Sequence, residues 1–124
     1  PRAMALRGAE VLFVIGASPF ERKKDEIWIN YLKQRVYDNI LPVCFCNQAG
    51  CQEGIIYMGF SMYLNARGEI ISKGKLIEED IVIFDLDLDE YKRIRRRDIR
   101  LREVRKEVIE DLLKACEEME NEGN

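Results

Sequence analysis

Four cysteines, a stretch of arginines and three aspartates spaced two apart are the side chains of this chain whose type and spacing suit chemistry. Histidine is absent from all 124 residues. That absence excludes Ser-His-Asp and Cys-His nucleophilic systems, His-containing zinc sites and imidazole proton shuttles. Cys44 and Cys46, with Cys51 downstream, resemble a thiolate metal site only superficially. Residues two apart on a strand share a face without forming the usual two-residue knuckle, and no second pair completes the set. Packing as small hydrophobes fits these thiols and Cys116 better, with incidental reactivity left to Cys51; no metal is expected. Asp85, Asp87 and Asp89 could form a chelating carboxylate row. The preferred reading is an exposed strand end with a helix cap at Asp87 or Asp89.

Nine of the twenty basic residues fall between Lys92 and Lys106, against Asp98 and Glu103. From Glu107 to Glu122 the sign reverses, with seven carboxylates against Lys114. Arg93 to Arg105 could bind a polyanion by releasing its counterions. A solvated face, or ion pairs to the acidic surface of a neighbouring subunit, is the preferred use. Only Tyr91 interleaves the cations, so no stacking platform for single strands is expected, and nucleic acid is disfavoured as a partner.

These groups must be positioned by a small set of elements. Pro1 to Gly8 reads as helix, with Pro suited to the first turn and Gly to the end. Glu10 to Ile15 is an apolar, β-rich run consistent with a strand buried on both faces. Gly16 to Lys24 is a loop, in which Ser18 has no histidine to activate it and would act as a hydrogen-bonding contact. This loop follows a buried strand at the edge where open α/β sheets bind ligands.

Asp25 to Asn39 is a helix with acidic residues in its first turn and Trp28, Leu32, Arg35 or Val36, and Asn39 along one side. Pro42 to Asn47 is a second buried strand, with Val43 and Phe45 on one face and Cys44 and Cys46 on the other. Gln48 to Gly54 reads as loop. Ile55 to Leu64, broken by Gly59, and Glu69 to Lys73 flank the turn Asn65-Ala66-Arg67-Gly68 as a β-hairpin. Ile81 to Leu86 is the last strand, and the tail from Leu88 onward is helical, with Val104, Val108, Leu112 and Cys116 repeating every four residues.

The order helix, strand, helix, strand, hairpin, strand, helix fits a layered sheet with helices on one face. The length suits one domain, and no repeat or linker divides it. A net charge of -3 argues against a wholly basic binder. No apolar window is long enough to span a bilayer, so no membrane partner is expected and a cytoplasmic location is the default. With no initiator methionine before Pro1, the sequence is expected to begin in mid-architecture.

Taken in order, these landmarks resemble the carbon-nitrogen hydrolase (nitrilase) superfamily. Pro1 to Glu10 before an apolar strand is similar to the segment just after that family's nucleophilic cysteine. The similarity continues through Gly16-Ala17-Ser18-Pro19, Trp28, Arg35 with Asp38-Asn39, Asn47 with Gly50, and Gly59 with Ser61. Gly68-Glu69, Asp85-Leu86-Asp87, and Arg96-Arg97 with Arg102 and Arg105 complete it, so that nearly the whole chain is covered.

The resemblance implies a mixed α+β or α/β fold, half of an αββα sandwich, in a hydrolase cleaving amides, N-carbamoyl groups or nitriles without a cofactor. Its Glu-Lys-Cys chemistry needs no histidine: a carboxylate takes the thiol proton, the thiolate attacks carbon, Lys and a backbone amide hold the oxyanion, and water releases the acyl group. None of the three catalytic residues maps onto this chain; Glu10, Lys24 and Cys44 stand in the wrong context. Residues 1–124 are therefore expected to be the C-terminal part of one such domain, inactive alone, with 88–124 a charged helical tail. Ser18, Pro19 and Phe20 correspond to a loop lining the substrate pocket, Asn47 to a position that organises its loop, and Trp28 to core or interface. Arg35 and Asn39 correspond to positions that stabilise their helix. The resemblance further implies a homo-oligomer through Pro1 to Gly8, Asp25 to Asn39 and the tail. A noncatalytic half that complements another polypeptide is the alternative, with polyanion binding behind it.

Overall fold

The computed structural model describes residues 1–122, with side chains to residue 120. Helix α1 (Arg2–Leu6) leads to strand β1 (Leu12–Gly16), then helix α2 (Lys24–Asn39) and strand β2 (Val43–Asn47). Strands β3 (Ala49–Gln52), β4 (Ile55–Met58), β5 (Met62–Leu64) and β6 (Ile70–Lys73) follow, and helices α3 (Leu88–Arg97) and α4 (Lys106–Glu122) close the chain. The main sheet has the order β1-β2-β5-β6, with β1 parallel to β2 and the other pairs antiparallel. A two-stranded ribbon, β3-β4, stands apart from it.

Period-two alternation decides which side chains meet α2. Leu12, Val43, Phe45, Met62 and Leu64 are buried in one cluster with Leu32 and Val36 of α2 and Ala5 of α1. Trp28 lays its ring on Phe45 at 4.5 Å between centroids. At its C-terminus α2 stops at Ile40, which takes a left-handed conformation with φ 51°, and its N–H donates to Val36 O at 2.7 Å. A β-branched residue is costly in that conformation, by about 1–2 kcal/mol; full burial of the Ile40 side chain offsets it.

The opposite sheet face is different. Cys44 and Tyr63, cross-strand partners, are covered there, and Phe84 stacks on Tyr63 at 4.1 Å. Towards the β1 edge the cover ends, leaving Phe13 67% and Ile15 84% exposed. Strand β1 is therefore buried on one face only, against the expectation of two, because among the described residues no second layer reaches it. The half-sandwich reading accounts for both the helical layer on one face and the open face opposite.

Four other expectations need correction. Gln48 to Gly54 is not simply loop: β3 pairs with β4 through a two-residue turn at Glu53 and Gly54, both with positive φ, the geometry that matches strand twist. Ile55 to Leu64 is accordingly two strands in two sheets, not one arm of a hairpin. Ile81 to Leu86 runs with alternating exposure, as a strand would, but among the described residues pairs with no strand; it lies over the β5–β6 side of this face as a strap whose inner side carries Phe84. The tail is two helices separated by residues 98–105, since Asp98 leaves α3 in an extended conformation. The expected hairpin at Asn65 to Gly68 joins β5 to β6. Among the described residues no helix is long and apolar enough to cross a membrane. Glu122 of the acidic stripe and residues 123–124 of the tail lie outside the described side chains.

Candidate functional site

Parallel β1 and β2 end side by side, with Gly16 opposite Asn47. Asn47, 7% exposed, folds its side chain across this end. Its Oδ1 accepts from Ser18 N–H at 2.9 Å, and its Nδ2 donates to Gly59 O at 2.8 Å. Its own N–H donates to Ser61 Oγ at 3.0 Å. A Cβ on Gly16 would stand 3.3 Å from Asn47 Oδ1, so glycine there gives the amide its path. Through its side chain Asn47 thus ties the loop after β1 and the β4–β5 junction to the end of β2, and through its backbone N–H it ties Ser61, just before β5, to the same point.

Ser18 is buried and doubly anchored. Beyond its N–H bond to Asn47, its carbonyl accepts from Met58 N–H at 2.9 Å. Its hydroxyl accepts from Trp28 Nε1 at 3.0 Å. A hydroxyl oxygen that accepts from an indole keeps its own proton for donation, so the Ser18 oxygen is held in place while its proton is left to turn toward an acceptor. Phe20 N–H donates to Ile56 O at 2.7 Å, and Pro19 bridges Tyr57, so the loop lies along β4 as a short extra strand. The Pro19 and Phe20 side chains face outward, Phe20 still 42% exposed.

A hollow of about 310 Å³, which no residue of this loop lines, opens at the end of β2, where Cys46, Asn47 and Ser61 meet Lys75, Glu79 and Asp80. Lys75 is engaged: its Nζ lies 3.2 Å from Glu78, and its N–H donates to Asp80 at 3.1 Å. Burial pushes the Cys44 thiol above its ordinary value, so it stays protonated at neutral pH. Among the described residues no three His, Cys, Asp or Glu side chains come together as a metal site. Asp87, one of the three alternating aspartates, caps α3 by accepting from Glu90 N–H at 2.7 Å.

Part of the basic run turns inward to carbonyls. Arg95 donates to Ala5 O and to Ala9 O, and to the Tyr91 hydroxyl at 2.6 Å, while Tyr91 donates to Ala9 O at 2.9 Å. Arg100 donates to Tyr37 O near the end of α2 and through Nε to Asp98 at 2.9 Å. These two arginines satisfy carbonyls at or near the C-terminal ends of α1 and α2, where the helix dipole favours a cation. Composition alone could not separate them from their neighbours; the signal missed was Tyr91 one turn before Arg95. Arg35 is exposed, whereas Asn39 is buried and donates to Arg35 O at 2.9 Å.

The carbon-nitrogen hydrolase family model matches residues 1–96. The glutamine-dependent NAD(+) synthetase of Thermotoga maritima is 38% identical over 87 residues, 70% of this chain and 15% of the synthetase. The N-carbamoylputrescine amidase of Oryza sativa subsp. japonica is 31% identical over 76% of this chain and 36% of the amidase. The crystal structure of a carbon-nitrogen hydrolase from Helicobacter pylori G27 superposes with a TM-score of 0.82 at 28% identity, covering 91% of this chain and 44% of that one. The chain therefore spans less than half the length of each of these relatives.

Proposed function

This chain belongs to the carbon-nitrogen hydrolase family, and from that membership we propose that it is the substrate-lining part of an enzyme hydrolysing a small amide, N-carbamoyl compound or nitrile. The observation that carries the reading is the Ser18 hydroxyl, its oxygen held by Trp28 and its backbone N–H by Asn47 at the end of the parallel strand pair. A hydroxyl whose oxygen is positioned before substrate arrives spends little binding energy on its own ordering. Ser18 would hold a polar group of the substrate while Pro19 and Phe20 form the wall beside it. Glutamine is the first substrate to try, because relatives include glutamine-dependent synthetases. The Glu, Lys and Cys of the family's chemistry are contributed from outside these 124 residues, and the chain alone releases no ammonia.

The test measures ammonia released from glutamine by the chain alone and by the chain joined to a segment bearing those three residues. We expect release only in the second case, with Ser18→Ala raising KM about tenfold, the scale of one hydrogen bond to substrate, while kcat changes less. Ammonia release by the chain alone, or an unchanged KM in the folded variant, would overturn the reading.

A second reading, a noncatalytic half that complements another polypeptide, is favoured by the exposed apolar pair Phe13 and Ile15 at the β1 edge. It predicts co-purification with the other half, and activity on mixing two separately made chains.

A further inference from the structure

Trp28 and Ser18 meet in a way that fixes which of them donates. An indole carries one N–H donor and no acceptor, whereas a hydroxyl carries one donor and two lone pairs. The 3.0 Å contact between Trp28 Nε1 and Ser18 Oγ therefore has one sense only: the indole donates and the hydroxyl accepts. Among the described residues no carbonyl or carboxylate takes the Ser18 proton.

Packing holds the indole to this task. Its ring lies on Phe45 with centroids 4.5 Å apart and planes 21° from parallel, and Tyr31 meets it edge-on at 6.3 Å. Phe45, 3% exposed, stands two residues before Asn47 on β2, and side chains two apart share a face of a strand. One face of β2 thus sets both anchors of Ser18. Asn47 takes its backbone N–H directly, and Phe45 supports the ring that holds its hydroxyl oxygen.

Resting on the reading of Ser18 as a substrate contact, we propose that Trp28 is a positioning residue that makes Ser18 select for an acceptor. The substrate group that meets Ser18 is then a carboxylate or carbonyl oxygen, and an ammonium is disfavoured there. A hydroxyl that already accepts a hydrogen bond is polarised into a better donor, which favours an acceptor as its next partner. A second donor has to share the oxygen with the indole N–H and leaves the hydroxyl proton unpaired. Trp28→Phe keeps an aromatic ring over Phe45 and removes the N–H, so the oxygen is freed and the selection relaxes.

The test compares two amides of matched chain length, glutaramate with a terminal carboxylate and γ-aminobutyramide with a terminal ammonium. Ammonia release is measured on the chain joined to the segment bearing Glu, Lys and Cys, with circular dichroism as the control for folding. In Trp28→Phe the preference for glutaramate, as a ratio of kcat/KM values, should fall about fivefold, the scale of one hydrogen bond, through KM and not kcat. In a Ser18→Ala background the same substitution should leave the ratio unchanged. Should Trp28→Phe not fold, replacing the single tryptophan of the chain by benzothienylalanine, which keeps the bicyclic ring and lacks the N–H, gives the same comparison. An unchanged ratio, with Ser18→Ala still raising KM for glutaramate, overturns this inference and leaves the Ser18 reading standing. A KM indifferent to Ser18→Ala overturns both. The chain alone supplies a further check that needs no activity: its one indole N–H resonance should exchange slowly with solvent, and faster in Ser18→Ala. Fast exchange in the unmodified chain overturns the proposal.

Discussion

Asn47 holds three segments at once, two through its side-chain amide and one through its backbone N–H. Truncation to alanine leaves the Ser18 N–H and the Gly59 carbonyl without the amide that now pairs them, in a place where both groups are shielded. Leaving buried polar groups unpaired costs about 1–3 kcal/mol each, so Asn47→Ala should destabilise the chain by about 2–4 kcal/mol in urea unfolding. A loss under 1 kcal/mol would mean that water replaces the amide there. Asp98 gives a second single-residue expectation, through pH. Its hydrogen bonds with the Arg100 guanidinium hold its carboxyl below the usual carboxylate range. A carboxyl with a lowered folded pKa stabilises above its unfolded value near ~3.9, and that stabilisation disappears as pH falls through the folded value. The stability difference between the chain and Asp98→Asn should therefore be constant from neutral pH down to about 5 and shrink below about 4. A difference that instead grows on acidification would contradict the pairing. Ser18 and Asn47 were both visible in the sequence as members of Gly-Ala-Ser-Pro and Asn-x-x-Gly, but the bond between them, 29 positions apart, follows only from β1 and β2 ending together.

Among the elements, the β5–β6 turn is where local chemistry and long-range packing agree best. Asn65 Oδ1 accepts from Arg67 N–H and Glu69 N–H, both at 3.0 Å, and Gly68 takes φ +80°. A Cβ at Gly68 would come within 2.7 Å of the Tyr37 ring of α2, while Arg67 reaches Glu90 of α3 at 2.8 Å. Gly68→Ala should cost about 1–2 kcal/mol from its left-handed backbone, and more from displacing Tyr37. In a Tyr37→Ala background the second part should vanish, which a double-mutant cycle reads directly; full additivity would show that the ring does not meet the turn. This hairpin was legible because its turn residues act locally. Helix α2 was legible for a related reason: Trp28, Leu32 and Val36 repeat every four residues behind an acidic first turn, although Ile27, Tyr31 and Tyr37 leave apolar surface on its outer side. Strand β3 was not, since Gly50 and Gly54 look like loop residues until β4 is known to lie opposite. Ile81 to Leu86 misled in the other direction. It has strand composition and a strand's alternation, and what it lacks is a neighbour, which no property of its own six residues encodes.

Across the whole molecule the two sheet faces are unequal, and that inequality has measurable consequences. The helical face closes over Val43, Phe45 and Leu64, whereas the other face presents Phe13 and Ile15 beside a strap whose outer side shows Ile81 and Ile83, 83% and 82% exposed. An apolar patch with an unpaired extended segment beside it invites association, which proteins ordinarily suppress with charge. The chain should therefore enhance the fluorescence of a dye specific for exposed apolar surface while remaining cooperatively folded. Ile81→Lys with Ile83→Lys should reduce that signal about twofold and change stability by no more than about 0.5 kcal/mol, because both side chains are more than four-fifths exposed. The same pair of substitutions separates two uses of the face. If the rest of a sandwich seats against the strap, the lysines should also cut the ammonia release restored by a segment supplying Glu, Lys and Cys, and do so through weaker association, so that excess of that segment recovers it. If dye binding falls while restored activity and its concentration dependence stay as they were, the second layer does not sit over Ile81 and Ile83, and the strap's outer side is surface in the complete enzyme as well.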